Sequence, residues 1–324
     1  MRRIILFLAL TCPAFGQTPF VRIPPDDAAK HLISKPSPAY PALAKATHIT
    51  GPVILEISIN ESGKPSVRRA VSGHPLLIFS ATDSISGWVY QPFELNGKPA
   101  TVKTFVMVAF EDTASQDTQG HAEMLLLHNF WTAEDAALTA LATGDYAGAS
   151  QQLSQASDIL GPASHHSPQL LERSQWMTTM GQLYMDQKKF EESEPYYKNA
   201  LKLLQDNDKE APETAAALAH LGYLYAQEKK YDLARELANK SVGIYNKNFK
   251  RAGSGNPSLQ QTCGTAIVYQ SWMLSRVAVQ QNDPKEAGKD CRAVLEFQTF
   301  LNSSDRDTFV SACQQTLLVP GSKN

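Results

Sequence analysis

Residues 53–75 of this 324-residue chain, VILEISINESGKPSVRRAVSGHP, decide the fold of its first half. Strand-forming residues alternate from Val53 to Ile59, Asn60 to Gly63 is typical of a turn, and Pro65 to Val71 returns as a second strand. His74-Pro75 then opens a helix, because proline is tolerated in a first helical turn. We therefore predict a β-hairpin followed directly by a helix.

Strands are predicted again after that helix. We place them at Trp88 to Phe93 and at Thr101 to Phe110, on either side of an Asn96-Gly97 turn. The side chains of Trp88 and Tyr90 are expected to pack in the core rather than to hold a ligand. The sequence thus predicts a small α+β domain with the order strand-strand-helix-strand (ββαβ).

The bulk composition is that of a globular protein. Hydrophobic residues make up 43% of the chain and charged residues 19%, which excludes wholesale disorder. The formal net charge is −2, and no basic stripe is present that could bind a phosphate backbone, so nucleic acid is not an expected partner. A chain of this length indicates two or three domains.

The N-terminus has the pattern of an export signal. Arg2-Arg3 precede an apolar run from Ile4 to Leu10, and Ala14-Phe15-Gly16 is a small-x-small cleavage site. A spanning helix needs roughly 20 apolar residues, so we predict a cleaved signal peptide at 1–16 and no stable membrane insertion. The proline-rich residues 17–35 are predicted to be a linker.

Beyond residue 112 the composition changes and the sequence repeats itself. The polar stretch 113–120 is predicted to be a linker, residues 121–300 to form about four helical hairpins, and 301–324 to hold a capping helix and tail. Each hairpin carries two small residues twelve positions apart, where two antiparallel helices are expected to press together. The paired small residues are Ala137 with Ala149, Gly181 with Ser193, Gly222 with Ala234, and Ser275 with Ala287.

Six short motifs lie between Tyr40 and Phe110. They are Tyr40-Pro41, Gly51-Pro52-Val53, Asn60 to Gly63, Ser72 to Leu76, Trp88 to Pro92 and Asn96 to Pro99. In this order and at this spacing they resemble the C-terminal domain of TonB, the energy transducer of diderm bacteria. The resemblance implies a TonB-like domain at 36–112.

A second resemblance lies in the repeats. Gly181 with Tyr184, and Leu221-Gly222 with Tyr225, resemble the L-G-x-x-Y signature of tetratricopeptide repeats (TPRs). The fold class is therefore predicted to be multidomain, with a small α+β TonB-like domain followed by all-α TPR-like helical hairpins.

The TonB resemblance implies that the small domain captures an extended peptide by strand addition. A free sheet edge offers unpaired N–H and C=O groups, which an added strand satisfies. In the TonB family that strand comes from the N-terminal box of an outer-membrane transporter, so the resemblance implies a periplasmic protein with a protein or peptide partner of this kind. By resemblance the receiving residues are Lys45, Ala46, Thr47, His48 and Ile49, together with Thr104, Phe105, Val106, Met107 and Val108.

The repeats imply a second surface, a groove along their inner helices. If Gly181 and Gly222 mark equivalent positions, the groove is mostly uncharged, which suits an apolar-polar peptide or another domain. The alternative is a groove that binds nothing. The predicted groove residues are Gln175, Thr178, Gln182 and Met185 in one repeat, and Ala216, Ala219, Tyr223 and Gln227 in the next.

No motif for catalysis or for a resident ion stands out. The GxSxG, P-loop, GxGxxG and HExxH patterns are absent from the sequence, and we predict a non-enzymatic protein with no cofactor and no metal. Three cysteines follow the signal peptide: Cys263, Cys291 and Cys313. A disulfide between Cys291 and Cys313 and three free buried thiols both remain open.

Several functions remain open at this point. The leading hypothesis is a periplasmic adaptor that captures a peptide with its TonB-like domain and binds a second protein with its repeats. One alternative is a helical-repeat scaffold in which the small domain is a structural cap. Another is a genuine TonB-type energy transducer, although a linker at 17–35 would reach at most ~70 Å when fully extended.

Overall fold

The alternating stretch at 53–59 is an inner strand of a four-stranded sheet in the computed structural model, which describes residues 21–110, 114–161, 170–253 and 256–322. The predicted signal peptide lies outside the described residues. The chain divides into two compact units. One contains the described residues up to Ala136 together with Ser154–Gly161, and the other contains Ala137–Leu153 and the described residues from 170 onward.

The first unit is an α+β domain. In chain order its elements are β1 (Val21–Arg22), α1 (Pro25–Lys30), β2 (Leu32–Ser34), α2 (Ala42–Ala46), β3 (Val53–Ile59), β4 (Pro65–Ser72), α3 (Pro75–Ile85), β5 (Val89–Tyr90), β6 (Phe93–Leu95), β7 (Lys98–Ala100), β8 (Val102–Val108) and the first part of α4 (Ala114–Ala142).

The main sheet has the strand order β1-β8-β3-β4. Strand β3 pairs antiparallel with both β4 and β8, as the hairpin at 53–75 predicts. Strand β1 pairs parallel with the start of β8, at Val102 and Lys103. The last strand therefore has a neighbour on each side and is not a simple sheet edge.

The predicted strand at Trp88 to Phe93 is divided in two. Strand β5 pairs with β2, and β6 pairs with β7 across the Asn96-Gly97 turn. Pro92 lies between β5 and β6 and has no N–H for a ladder, which explains the break. Trp88 and Tyr90 are buried in the core, as predicted.

Both faces of the main sheet are buried. Val53, Leu55 and Ile57 face the core that contains α3, whereas Ile54 packs with Phe105 against α4. Alternation along β3 places these two sets on opposite faces. The sequence predicts the face of the sheet that packs on α3. The opposite face is covered by α4, most of which the sequence predicts to belong to the repeats.

Within the described residues, two segments that were predicted to be linkers form regular secondary structure instead. Residues 21–34 of the supposed 17–35 linker form β1, α1 and β2, and the supposed linker 113–120 forms the first turns of α4 from Ala114 onward. Local proline and polar content suggested loops, but contacts with residues far along the chain hold both segments. Residues 121–136 accordingly pack on the sheet.

The second unit is made of helical hairpins. Its helices are the end of α4, the part of α5 (Tyr146–Leu160) up to Leu153, α6 (Leu170–Asp186), α7 (Phe190–Asn207), α8 (Pro212–Gln227), α9 (Tyr231–Ala252), α10 (Pro257–Gln280), α11 (Pro284–Phe297) and α12 (Ser303–Leu317), with a 3-10 turn at Gln298–Phe300.

The small residues twelve positions apart do bring hairpin helices together. Ser193 Oγ on α7 donates a hydrogen bond of 2.7 Å to the carbonyl of Gly181 on α6. A Cβ added to Gly222 would lie 3.3 Å from the carbonyl oxygen of Ala234. The predicted close contact between the helices of a hairpin is confirmed. The short distance between the helices explains why small residues occupy these positions.

Each hairpin turns through the same backbone conformation. Gly144, Lys188, Lys229 and Asn282 all have φ between 57° and 75°, and the next N–H in each turn bonds to the carbonyl five residues before it. This is the six-to-one hydrogen bond of a Schellman motif, which ends a helix with a residue in the left-handed region. The repetition extends to the fourth, less similar segment at 282–287.

Helix α12 is the last helix of the described residues. A disulfide joins its Cys313 to Cys291 on α11, with the Cα atoms 5.1 Å apart, while Cys263 is free and buried. The exposed positions of α12 include Asp307, Ser311 and Gln314. A polar outer face is typical of the terminal helix of a repeat array.

Candidate functional site

Along β8 the backbone N–H and C=O groups of successive residues point alternately to the two neighbouring strands. Ile23 N donates a hydrogen bond of 2.8 Å to Lys103 O, so the backbone groups of Lys103 face β1. Because N–H and C=O alternate sides along a strand, those of Phe105 and Met107 face the same outer side. Val106 faces the other way, toward its partner Leu55 on β3.

Helix α1 contacts β8 beyond β1, and the outer side of β8 continues from Phe105 to Met107. The outward N–H groups of Phe105 and Met107 have no partner among the described residues. Lys35 Nζ donates to Met107 O at 3.4 Å and lies 4.9 Å from the ring centre of Trp88, which positions it at the far end of this stretch. We call this stretch, from Phe105 to Met107 between β1 and Lys35, the β8 opening.

The side chains of the residues predicted in β8 are largely withdrawn from solvent, and Phe105 is only 1% exposed as a whole residue. Thr104, Phe105, Val106 and Val108 are all buried, and Met107 is half-buried. Of these five, Phe105 and Met107 have outward backbone groups. Sequence periodicity identifies the strand, but the register with β1 and β3 decides which residues face out.

The other predicted receiving segment, residues 45–49, is not extended. Lys45 and Ala46 end helix α2, Thr47 N donates to Leu43 O, and His48 has a φ of 52°. Ile49 N donates to Ala44 O, so the turn uses the backbone groups that an added strand would need. This part of the predicted site is wrong, because the local helix satisfies its hydrogen bonds internally.

The opposite sheet edge, β4, is protected against strand addition. Its register with β3 shifts twice, leaving an extra residue near Arg68 and another near Val71. The strand also begins with Pro65, and the side chain of Arg68 is exposed. Bulges, proline and charge are the devices by which edge strands avoid pairing, which leaves the β8 opening as the candidate site.

Strand β1 is fixed in place by a buried ion network. Arg22, with a side chain only 4% exposed, contacts Glu56 Oε1 and Asp135 Oδ2, each at 3.0 Å. Arg69 Nε contacts Glu56 Oε2 at 2.8 Å, and its guanidinium carbon lies 4.6 Å from the ring centre of Trp131. The network joins β1, the sheet and α4, so β1 is a firm boundary of the opening.

The predicted groove residues of α6 lie along one side of the helix. Gln175, Thr178 and Gln182 are half-buried, and Gln182 Nε2 donates to Asp186 Oδ1 at 2.6 Å. Met185, by contrast, is 5% exposed and belongs to the core between helices. Met185 is therefore a packing residue and does not line an accessible groove.

On α8 the half-buried residues form a stripe that includes one residue the sequence analysis missed. Ala216, Tyr223 and Gln227 are half-buried, whereas Ala219 is buried. His220 lies on the same stripe by helical spacing, and its ring stacks on that of Tyr197 at 5.6 Å. Burial lowers the pKa of His220 to about 4, so this histidine is neutral at pH 7.

Comparison with known proteins supports both resemblances. Residues 36–111 match the family model of the Gram-negative bacterial TonB protein C-terminal domain, and residues 172–247 match a tetratricopeptide repeat model. The two matches occur in the predicted order and confirm the two domain types. No curated protein matches the chain.

Among solved structures, the chain is similar to BtubC (BKLC) from P. vanneervenii. The match has 14% sequence identity, covers 63% of this chain and 91% of that chain, and has a TM-score of 0.36. A score this low supports no argument about function. The two family matches indicate a protein-interaction or adaptor role, and no helix in the described part of the chain is both long and apolar enough to cross a membrane.

Proposed function

We propose that this chain is a periplasmic adaptor whose TonB-like domain captures an extended peptide at the β8 opening, while its repeats bind a second protein. The observation that carries the proposal is the pair of outward N–H groups at Phe105 and Met107, which have no partner among the described residues. An extended segment placed beside β8 would supply the missing carbonyl acceptors.

The size of the opening limits what it would accept. Strand β1 already bonds to Lys103, and from Phe105 to Met107 a strand advances ~7 Å, so the peptide would pair over about three residues before it meets β1 or Lys35. Specificity would come from its side chains, since the side chains of β8 itself are largely buried. By resemblance, the N-terminal box of an outer-membrane transporter is the proposed partner.

Proline substitution tests this site. Met107→Pro removes an outward N–H without breaking the ladder between β8 and β3, so the domain should fold and lose peptide binding. Met107→Ala also shortens the side chain but keeps the N–H, and it should still bind. Val106→Pro removes an N–H that faces β3 and should unfold the domain.

The measurement is calorimetric titration with synthetic peptides that contain the N-terminal boxes of the transporters of the same bacterium. Amide hydrogen exchange at Phe105 and Met107 should slow when a peptide binds. If folded Met107→Pro binds with the same affinity as Met107→Ala, strand addition at the β8 opening is wrong.

A scaffold is the second candidate function, and one observation favours it. Strand β1 and helix α4 already cover the start of the outer edge and one face of the sheet, as expected of a domain that serves as a structural cap. A pull-down from envelope extracts distinguishes the two. Peptide capture is supported if the normal chain recovers transporters and the Met107→Pro variant does not. The scaffold function is supported if both chains recover the same soluble complexes.

A further inference from the structure

Two carboxylates of α11 lie beside one arginine of α9. Arg235 Nη2 contacts Glu286 Oε2 at 2.9 Å, and Arg235 Nη1 lies 3.8 Å from Asp290 Oδ2. The second distance is too long for a hydrogen bond, although both atoms are buried and have no hydrogen-bond partner among the described residues. We call Arg235, Glu286 and Asp290 the α9–α11 charge cluster.

Within this cluster Asp290 is the acid in the less favourable position. Its side chain is 10% exposed, whereas that of Glu286 is 32% exposed and also contacts Lys289 Nζ at 3.3 Å. Positions 286 and 290 are four apart on α11, where two like charges are neighbours and repel each other. An ionised Asp290 therefore loses hydration and meets a second carboxylate, without a hydrogen bond from the arginine that the two acids share.

Charged residues of the neighbouring helices do not relieve this position. Helix α10 has one charged residue, Arg276, and its guanidinium lies over an aromatic ring of its own helix. The charged residues of α12, 305–307, lie in its first two turns, before the part that the disulfide joins to α11. On α9, Asp232 accepts a hydrogen bond from Gln281 Nε2 at 3.0 Å. The cluster is therefore the setting that decides the charge of Asp290.

The pKa of Asp290 reflects the balance of these effects. Burial is the largest effect and raises the pKa, Arg235 and Lys289 lower it, and Glu286 and Asp283 raise it. The result is a pKa of about 6, above the ordinary value of 3.8. Asp290 is therefore mostly ionised at pH 7 and mostly protonated at pH 5, and the folded chain binds this proton more tightly than the unfolded chain does.

We propose that the α9–α11 charge cluster makes the α10–α11 hairpin of the repeats pH-responsive, with proton uptake at Asp290 tightening the packing of α11. A proton that binds more tightly in the folded state stabilises that state. This stabilisation is fully present below pH 3.8 and is lost as the pH rises through 6. The cluster lies in the repeats, and its response does not depend on peptide capture at the β8 opening.

The first measurement follows the proton itself in the complete mature chain. The side-chain carboxyl signal of Asp290, assigned with Asp290→Asn, should titrate in carbon NMR with a midpoint near pH 6. Arg235→Met should raise this midpoint, because the guanidinium favours the ionised acid. Glu286→Gln should lower it, because it removes a neighbouring negative charge and leaves Arg235 free for Asp290. A midpoint near pH 4 in the normal chain, or one that neither variant moves, overturns the proposal.

The second measurement follows the packing of α11. Between pH 5 and pH 7 the hydrogen-exchange protection of α11 amides, corrected for the intrinsic exchange rate, should fall by about tenfold in the normal chain. Asp290→Asn cannot ionise, so its protection should stay constant over this range and exceed that of the normal chain at pH 7. Asp307→Asn, at an exposed position of α12, should behave like the normal chain. The same pH dependence in Asp290→Asn and the normal chain overturns the proposal, as does weaker protection of Asp290→Asn at pH 7.

Discussion

At the scale of single residues, Glu56 is the buried carboxylate that contacts both Arg22 and Arg69 in the small domain. Burial by itself would raise the pKa of Glu56, but Arg69 and Arg22 outweigh this effect and hold the pKa at about 2, below its ordinary value of 4.5. The carboxylate is therefore more favourable in the folded state than in the unfolded state. Its contribution to stability is present above pH 4.5 and is lost as the pH falls toward 2.

We therefore expect Glu56→Gln to destabilise the chain at pH 7 by about 3 kcal/mol, because Arg22 and Arg69 lose their buried counter-charge. The difference from the normal chain should narrow as the pH is lowered from 4.5 toward 2. Urea denaturation at pH 7, 4 and 3 measures it. A difference that stays constant over this range would contradict the assigned role.

The hairpin turns allow a second prediction at this scale. Lys229 has a φ of 61°, a conformation that costs an L-residue more than glycine. Lys229→Gly should therefore stabilise the repeats by about 0.5–1 kcal/mol, measured by chemical denaturation. Lys230→Gly, with a normal φ of −81° at the start of α9, should destabilise them, and the same sign for both variants would refute the argument.

At the scale of elements, the packing of hairpin helices depends on where glycine stands. A Cβ at Gly181 would lie 2.7 Å from Tyr197 Cε1, and Tyr197 is 1% exposed. At Gly243, on the exposed side of α9, an added Cβ meets nothing within 4 Å. The two glycines occupy similar helical backbone but different surroundings.

Gly181→Ala should therefore lower the free energy of unfolding of the repeats by about 1–2 kcal/mol, because Tyr197 has no room to move. Gly243→Ala should stabilise by about 0.5–1 kcal/mol, since alanine loses less backbone entropy in a helix. Thermal denaturation of both variants checks the opposite signs. A Gly181→Ala variant as stable as Gly243→Ala would show that the contact is not tight.

At the scale of the whole molecule, each unit has a hydrophobic core of its own. The disulfide between Cys291 and Cys313 belongs to the repeats and closes a loop with a sequence separation of 22. Reduction should remove about 3 kcal/mol from the repeats. Fluorescence of Trp176 should report an earlier unfolding transition, while that of Trp131, beside the sheet, should not move.

A matched variant separates reduction from other effects of the reductant. The double substitution Cys291→Ala and Cys313→Ala should unfold at the midpoint of the reduced chain and should not respond to reductant. A reductant-sensitive double variant would point to Cys263, whose thiol is buried and has its pKa raised to about 11 by that burial and by Glu213.

Much of this architecture was predictable because its signals are local. Alternation at 53–59, the turn at 96–97 and the twelve-residue spacing of small residues depend on neighbours along one element, and all three are found as predicted. Lys35 and Arg22 were missed since they lie in a stretch with a loop-like composition. His220 could have been found from its helical spacing with Tyr223 and Gln227.

The sequence by itself determined the two domain types, their order and the hairpin repeats, because hydrophobic period, turn residues and small-residue spacing act within a few residues. Only the tertiary structure decided that β1 lies beside β8, that α4 covers the second face of the sheet, and that Phe105 and Met107 rather than Val106 face outward. These features depend on pairing and charge contacts between residues far apart in the chain. The contact of Arg22 with Asp135, 113 positions away, is one that no local pattern specifies.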